Sequence, residues 1–545
     1  MKKILFISEK SILDFAIAYS NDVNLLLKLL EKKDVQIYLV NPEDLILSKD
    51  QKSIQSKIVT INDFQKINDL RRYLYLKSSL HMLFSLPLPN EFKSNLEIRN
   101  EFSIKDDVKI EKAQIDIIID RAEPVSRTKE YYNITRDLYD LNNNYFDDPI
   151  FREKEGDKEI VLKIDQELTR NDQQNLGFKT IILDFSAENK NLDDINRHKL
   201  YRIFQDLKEC DLGKIIDQTL GCFQDLDTFK ESAIISIIKK IYNCQINFKY
   251  FCIKPANWYG GVAIELVGDK KNKIVADLSK VKLFHLIAKI NYNILSDVKK
   301  DNDHQESILK RAILDGIIIQ EQVSYPKFGD LRIFVSFGKI HGVILRVPAK
   351  NKNIANMSAG GHAEIFINPI NKSANELFIL QKELETLGYL EIFEAISDLI
   401  NSIKNSLETN VGKNLKKSAF IGFDALLNED GKKKYFACNE INLSSAMGQN
   451  QIEVANLLEE LLKNKNFLYA LQATLNKIRV NENIFYELQN VKSPYVKFLI
   501  LRRFIEDLSD EDKSILIEEF YLQIRDINFT IISVADCTIN KIINA

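Results

Sequence analysis

At 545 residues the chain exceeds the size at which one hydrophobic core stops growing, so several domains are expected and a large core is easily built. A composition of 45% hydrophobic and 28% charged residues is that of a soluble globular protein, and a net charge of -3 leaves no basic footprint for DNA or RNA. The six cysteines, at 210, 222, 244, 252, 438 and 537, show no C-x-x-C pair and no nearby histidine spacing, which argues against zinc and against a disulfide framework.

The first apolar run, Ile4 to Ile7, is too short for a signal sequence or a membrane span, so a cytoplasmic protein with no membrane partner is expected. Lys3 to Ser8 reads as a strand, Ile12 to Leu30 as an amphipathic helix and Val35 to Val40 as a second strand, which makes a βαβ unit. Asn41-Pro42-Glu43-Asp44 stops that strand and can cap a short helix. No G-x-G-x-x-G follows the first strand, so a dinucleotide site of the Rossmann kind is not expected. Residues 49–110 are of mixed charge and offer only a helix from Phe64 to Lys77. Ile115 to Ile119 is a buried strand followed at once by Asp120-Arg121-Ala122-Glu123-Pro124, which fits both a ligand-binding strand edge and a solvated strand end.

From Asp147 to Asn247 the chain is very polar, with Thr180 to Phe185 as a strand and Ile234 to Ile241 as a helix. Phe248 to Lys254 then ends in a lysine, Pro255 to Gly261 forms a glycine-ended turn, and Val262 to Val267 is a new strand. That order suits a phosphate-facing lysine beside a loop whose backbone can approach a ligand. The most informative stretch is Ile317 to Gly361. Leu331 to Phe337 and Ile340 to Val347 form a hairpin with a Gly-X turn at Gly338-Lys339, Asp330 and Arg332 share one face, and Arg346 lies near the end of the returning strand. Leu377 to Leu407 reads as one or two packing helices. Ile421 to Leu426, a turn at Asn428 to Gly431, and Tyr435 to Asn442 make a second hairpin, on which Glu440 and Asn442 share a face and Asp424 can lie opposite. These oxygen ligands favour Mg²⁺ over zinc, although carboxylates on a hairpin are more often its solvent face. The tail from Lys463 to Ala545 is helical in pattern.

In family order, the segments Asp116 to Pro124, Ile253-Lys254-Pro255 with Gly260-Gly261, Gln320 through Gly329-Asp330-Leu331-Arg332, Arg346-Val347-Pro348, Asn356 to Gly361, Gly422-Phe423-Asp424 and Glu440 to Ser445 resemble bacterial glutathione synthetase, of the ATP-grasp superfamily. The resemblance implies a mixed α/β chain with an ATP-grasp fold, a preceding N-terminal βαβ domain and an added helical C-terminal tail. It divides the chain into an N-terminal substrate domain (1–145), a central and lid region with a long insertion (146–315), a catalytic lobe (316–462) and a helical extension (463–545).

It further implies an enzyme, an ATP-dependent ligase forming a carbon-nitrogen bond through an acyl phosphate, with small amino acids or peptides as partners and a homo-oligomer as an open alternative. By resemblance, Lys158, Lys254, Gly260, Gly261, Gln320, Glu321, Gln322, Val323 and Asp330 contact ATP. Asp424, Glu440 and Asn442 hold two Mg²⁺ ions, with Mn²⁺ as a substitute. Arg332 and Arg346 stabilise the acyl phosphate and the tetrahedral oxyanion. Arg121, Asn356, Gly360, Gly361, Ser444 and Ser445 face the substrates. Ile354-Ala355-Asn356 departs from the family's R-G-N, so γ-glutamylcysteine plus glycine and other amino-acid or peptide pairs are both open. A non-catalytic ATP-binding module is the rival, and the retained metal residues count against it.

Overall fold

The structure is a computed structural model that describes residues 1–8, 21–47, 52–86, 99–122, 129–142, 144–146, 157–170, 176–185, 187–188, 233–256, 264–270, 282–283, 286–287, 289–290, 316–324, 328–348, 362–365, 372–431, 433–442, 449–477, 483–527, 529 and 534–544. Among the described residues the fold is mixed α/β with three sheets. The chain divides into two compact units, Met1–Lys154 with Ile164–Leu176 and Tyr325–Ala545, and Glu155–Lys163 with Gly177–Ser324.

The first unit opens with a six-stranded sheet of β1 (Lys2–Ile7), β2 (Val35–Val40), β3 (Ser53–Ile61), β4 (Phe102–Glu111), β5 (Ile117–Asp120) and β6 (Tyr145–Phe146), in the order β4-β3-β2-β1-β5-β6. Strands β2, β1, β5 and β6 are parallel, and β3 and β4 continue the sheet antiparallel. The continuous apolar run of β1 follows from burial on both faces. Ile4 and Phe6 join one apolar cluster with the helix Asn21–Leu30, while Leu5 and Ile7 join another with Tyr131 and Leu138 of the helix Lys129–Leu141.

The expected βαβ opening is present, its helix running over Asn21–Leu30, and residues 12–20 of the expected helix lie outside the described residues. Asn41 to Asp44 form a turn leading to a bridge between Leu47 and Ile54. The helix expected from Phe64 runs to Leu83 and is capped by Asp63, whose side chain accepts from the Lys66 N–H. Strands β3 and β4 escaped the sequence because β4 is an edge strand with an exposed middle, Lys105-Asp106-Asp107, which breaks the alternation.

The second unit holds an antiparallel sheet of β7 (Thr180–Asp184), β8 (Phe251–Pro255), β9 (Glu265–Val267) and β10 (Gly316–Glu321), ordered β7-β10-β8-β9. The third sheet belongs to the first unit: β11 (Asp330–Ser336), β12 (Lys339–Val347), β13 (His362–Ile365), β14 (Ile421–Asp430) and β15 (Lys433–Asn442), ordered β13-β12-β11-β14-β15 and antiparallel throughout. Its first hairpin turns at Phe337-Gly338, not Gly338-Lys339. Both turn residues have positive φ, 49° and 72°, the pattern of a type I′ turn. Phe337 tolerates that conformation because its N–H donates to Ser418 O at 2.9 Å and its ring packs edge-on against Phe146. The second hairpin is longer than expected, with Asp430 pairing with Lys433 across Gly431.

Leu377 to Leu407 resolves into two helices, Ala374–Leu387 and Leu390–Ser406, separated by Gly388 in the left-handed conformation. The tail helices Lys465–Asn476, Pro494–Ile505 and Asp510–Ile524 share one apolar cluster with the helices Phe64–Leu83 and Ala374–Leu387. The last helix, Val534–Asn544, meets the first hairpin through Ser336 Oγ and Thr538 Oγ1, 2.9 Å apart. Among the described residues, no helix is long and apolar enough to cross a membrane.

Candidate active site

Side chains of directly opposed strand residues project from the same face. The registers Asp330↔Arg346, Arg332↔Asp424, Asp424↔Glu440 and Gly422↔Asn442 therefore bring Asp330, Arg332, Arg346, Asp424, Glu440 and Asn442 onto one face of the third sheet. Arg332 and Asp424 are 92 residues apart in sequence. Leu331, Ile333, Phe423 and Ala425 fill the opposite face and are buried, so the sheet has an apolar side and a side with a polar end.

Arg332 donates to Asp424 through Nε and through Nη2, the latter at 2.6 Å from Oδ2. Arg346 donates through Nε and Nη2 to the two oxygens of Asp330, each at 2.7 Å, and its Nη2 also lies 3.0 Å from Asp424 Oδ2. Asn442 Nδ2 donates to the same oxygen at 3.1 Å. Arg332, Arg346 and Asp424 are 6%, 7% and 4% exposed, so their pairing takes place largely out of water.

Burial alone would disfavour an ionised Asp424, but the charges of Arg332 and Arg346 together outweigh it and hold its carboxyl below the usual range. For Asp330, burial is the largest influence. The Asp424 anion reinforces it and the Arg346 charge opposes it, and the net effect is upward. Burial works against the Arg346 cation, and the Asp424 and Asp330 anions overcome that and raise its pKa. In the strand beside this face, burial pushes the Cys438 thiol well up, as a small buried hydrophobe.

In the second unit, Lys254 on β8 and Gln320 on β10 are 4% and 5% exposed, and Lys254 Nζ donates to Gln320 Oε1 at 2.7 Å. Gln320 Nε2 in turn donates to Thr180 Oγ1 at 3.3 Å. Past the strand end, the Gln322 N–H donates to Tyr250 O at 3.1 Å, and its side chain accepts from the Lys270 N–H at 2.8 Å. Glu321 pairs with Lys270 at 3.6 Å, and Val323 is half-buried. The chain at Gln320–Gln322 is thus pinned by its neighbours on both sides.

Arg121 follows β5 in the first unit. Its N–H donates to Ile7 O at 2.8 Å, and its guanidinium stacks 4.4 Å from the Phe420 ring, just ahead of β14. Asp120, fully buried, accepts from the hydroxyls of Tyr131 and Tyr145 and from the Ala122 N–H, which fixes the turn that presents Arg121. No local pattern marks Thr180, Tyr131, Tyr145 or Phe420 for these roles. Asp120 is legible in the sequence as part of a charged strand edge, but its burial under two tyrosines is not. Lys158 belongs to the helix Asp157–Arg170, and its side chain lies outside the described residues. Gly260, Gly261, Asn356, Gly360, Gly361, Ser444 and Ser445 also lie outside them.

No protein-family model and no curated protein matches the sequence. Among solved structures, the chain is similar to D-cycloserine synthetase DcsG, at 7% identity and a TM-score of 0.38 over 83% of this chain and 97% of that one. It is also similar to D-alanyl-alanine synthetase A from Vibrio cholerae, at 9% identity and a TM-score of 0.36 over 93% and 99% of the two chains. A third is the RimK domain ATP-grasp protein from Sphaerobacter thermophilus, at 10% identity and a TM-score of 0.33 over 83% and 96%.

Proposed function

We propose that the chain is an ATP-grasp ligase, dependent on ATP and Mg²⁺, that joins a carboxylate to an amine. The observation that supports this most is the polar end of the third sheet, where two buried guanidiniums and an all-oxygen donor set share one face. A carboxylate attacking the γ-phosphate of ATP yields an acyl phosphate and ADP. An amine then attacks the acyl carbon, and the tetrahedral oxyanion expels phosphate to leave an amide. Each step makes or moves negative charge on oxygen, so fixed donors aimed at that charge matter more than a nucleophilic side chain.

Under this proposal Arg332 and Arg346 stabilise the acyl phosphate and the oxyanion, and their carboxylate partners hold the guanidiniums in place before substrate arrives. Lys158 and Lys254, with Gly260 and Gly261, take the ATP phosphates. Gln320, Glu321, Gln322 and Val323 lie beside adenine, and Asp330 beside the ribose. Arg121, Asn356, Gly360, Gly361, Ser444 and Ser445 are assigned to the substrates.

The donor set fits a hard cation. Asp424, Glu440 and Asn442 offer oxygen ligands, and among the described residues Asp424 Oδ1 accepts only from Arg332 Nε, which leaves that oxygen a lone pair. Bound there, Mg²⁺ would neutralise phosphate charge and orient the γ-phosphate for in-line attack. The test is ADP release from ATP, with and without Mg²⁺, across a panel of amino acids and dipeptides that includes γ-glutamylcysteine with glycine. Metal-dependent turnover with an acceptor pair is the expected result, and the pair that works names the substrates. ATP left intact with every pair would overturn the proposal.

A further inference from the structure

Gly422 stands near the start of β14, between β11 and β15, where its lack of a side chain is unfavourable for a strand. Its φ is outside the left-handed region, so backbone conformation does not account for it. Space does. A Cβ built on Gly422 would have as its three nearest atoms the Cδ, Nε and Cζ of Arg332, at 3.0, 3.3 and 3.5 Å. Three consecutive atoms of the arginine therefore run across the bare backbone, and the first two are closer than an ordinary Cβ contact allows.

We propose that Gly422 is a positioning residue for Arg332: the missing side chain is the space through which the guanidinium reaches Asp424. A methyl group at this position would push the arginine by a few tenths of an ångström. The shift cannot be absorbed by Asp424, which is itself held by Arg346 Nη2 at 3.0 Å and Asn442 Nδ2 at 3.1 Å. The surrounding glycines differ. A Cβ on Gly342 would meet the Ile452 side chain and one on Gly412 the Ser406 backbone, which are packing constraints. A Cβ on Gly329, where φ is +99°, would meet the Arg346 backbone, so among these four Gly422 is the one whose space is filled by a side chain of the candidate active site.

The catalytic part of this inference rests on the ligase proposal, and the test separates the two. The full-length chain is compared with Gly422→Ala, Arg332→Lys and the double variant. kcat and the KM for ATP come from ADP release with whichever substrate pair the wild type turns over, and melting temperature is recorded alongside. Gly422→Ala should lower kcat about 10- to 100-fold, the scale of a small misplacement of a catalytic group. The KM for ATP should stay within about twofold, and the substitution should cause no further loss in the Arg332→Lys background. A kcat of Gly422→Ala within about twofold of wild type, or a loss that recurs in full on Arg332→Lys, would overturn the inference. A wild-type chain with no turnover would instead sink the ligase proposal. Melting temperatures then decide the pairing, because equal losses from Gly422→Ala in both backgrounds would mean that the glycine does not act through Arg332.

Discussion

Replacing Asp424 by asparagine should destabilise the first unit more than any other single change on the polar face. Asp424 accepts from Arg332 twice, from Arg346 once and from Asn442 once. Asparagine keeps one acceptor oxygen and turns two N–H donors toward guanidiniums, so two buried cations and two anions become two cations and one anion. Breaking a buried pair by removing one partner costs roughly 3–5 kcal/mol. Arg346 retains Asp330 as a two-point partner, so the loss falls mainly on the two Arg332 donors, Nε and Nη2, that Asp424 accepts from, and the lower end, about 3 kcal/mol, is expected.

The pH dependence carries a sign. The folded carboxyl of Asp424 is held below its unfolded value, so its contribution is fully present above about pH 4 and lost as pH falls through the folded pKa. Asp330 is pushed the other way, so Asp330→Asn should cost clearly less at neutral pH. The assay is urea unfolding followed by tryptophan-independent circular dichroism, with Asp424→Asn, Asp330→Asn and wild type compared at pH 7 and again near the acid limit of folding. An Asp424→Asn midpoint equal to that of wild type, or a deficit no larger than that of Asp330→Asn, would refute the charge accounting.

Arg332→Lys should keep the charge but lose the planar two-point grip, so kcat should fall by about two to three orders of magnitude with ATP affinity little changed. Steady-state ADP release and a nucleotide titration check this, and near wild-type kcat would remove Arg332 from the chemistry. Glu440→Gln should abolish product formation by weakening compensation of the cation's charge, and full turnover at ordinary Mg²⁺ concentrations would count against the metal assignment. Burial above all, then the charges of Lys339 and Lys541, lowers the His341 pKa to about 4, so the unfolded chain takes up that proton first. Stability from this residue is therefore present above about pH 6.5 and declines toward pH 4, by roughly 1–2 kcal/mol once its partial exposure is allowed for. His341→Gln should flatten that part of the urea midpoint against pH, and an unchanged slope would refute it.

The two hairpins and their polar residues were legible because a strand shows its faces with period 2, and Asp330, Arg332, Glu440 and Asn442 stand at that spacing. Lys254 at a strand end and the apolar runs of β1, β2 and β5 were visible for a different reason, as short continuous apolar segments of strands buried on both faces. What pairing alone decides was hidden. That Arg332 meets Asp424, and that Arg346 bridges Asp330 and Asp424, depends on β11 lying between β12 and β14, which no local pattern specifies. The type I′ turn was misplaced by one residue because Phe337 is a poor left-handed residue on its own and is held there by Phe146 and Ser418. Gly422 sat in plain view in Gly422-Phe423-Asp424, yet its significance requires knowing which side chain crosses it.

A buried cluster of two arginines and two aspartates is weak grounds for stability, since apolar residues of similar volume commonly do as well or better. On this sheet the apolar solution is available a residue or two away. Phe334 and Ile344 share the face of Arg332, are buried, and join the apolar cluster that includes Ile4 and Phe6 of the first sheet. One face therefore passes from core to ion pairs along a few residues, with the charges gathered at the end that also carries Glu440 and Asn442. Packing explains the apolar half and would be served equally well by continuing it. Under the ligase proposal the charged half has a reason: guanidiniums paired with carboxylates are held rigid and nearly neutral as a group, and an incoming anion would meet donors already in position instead of having to order them.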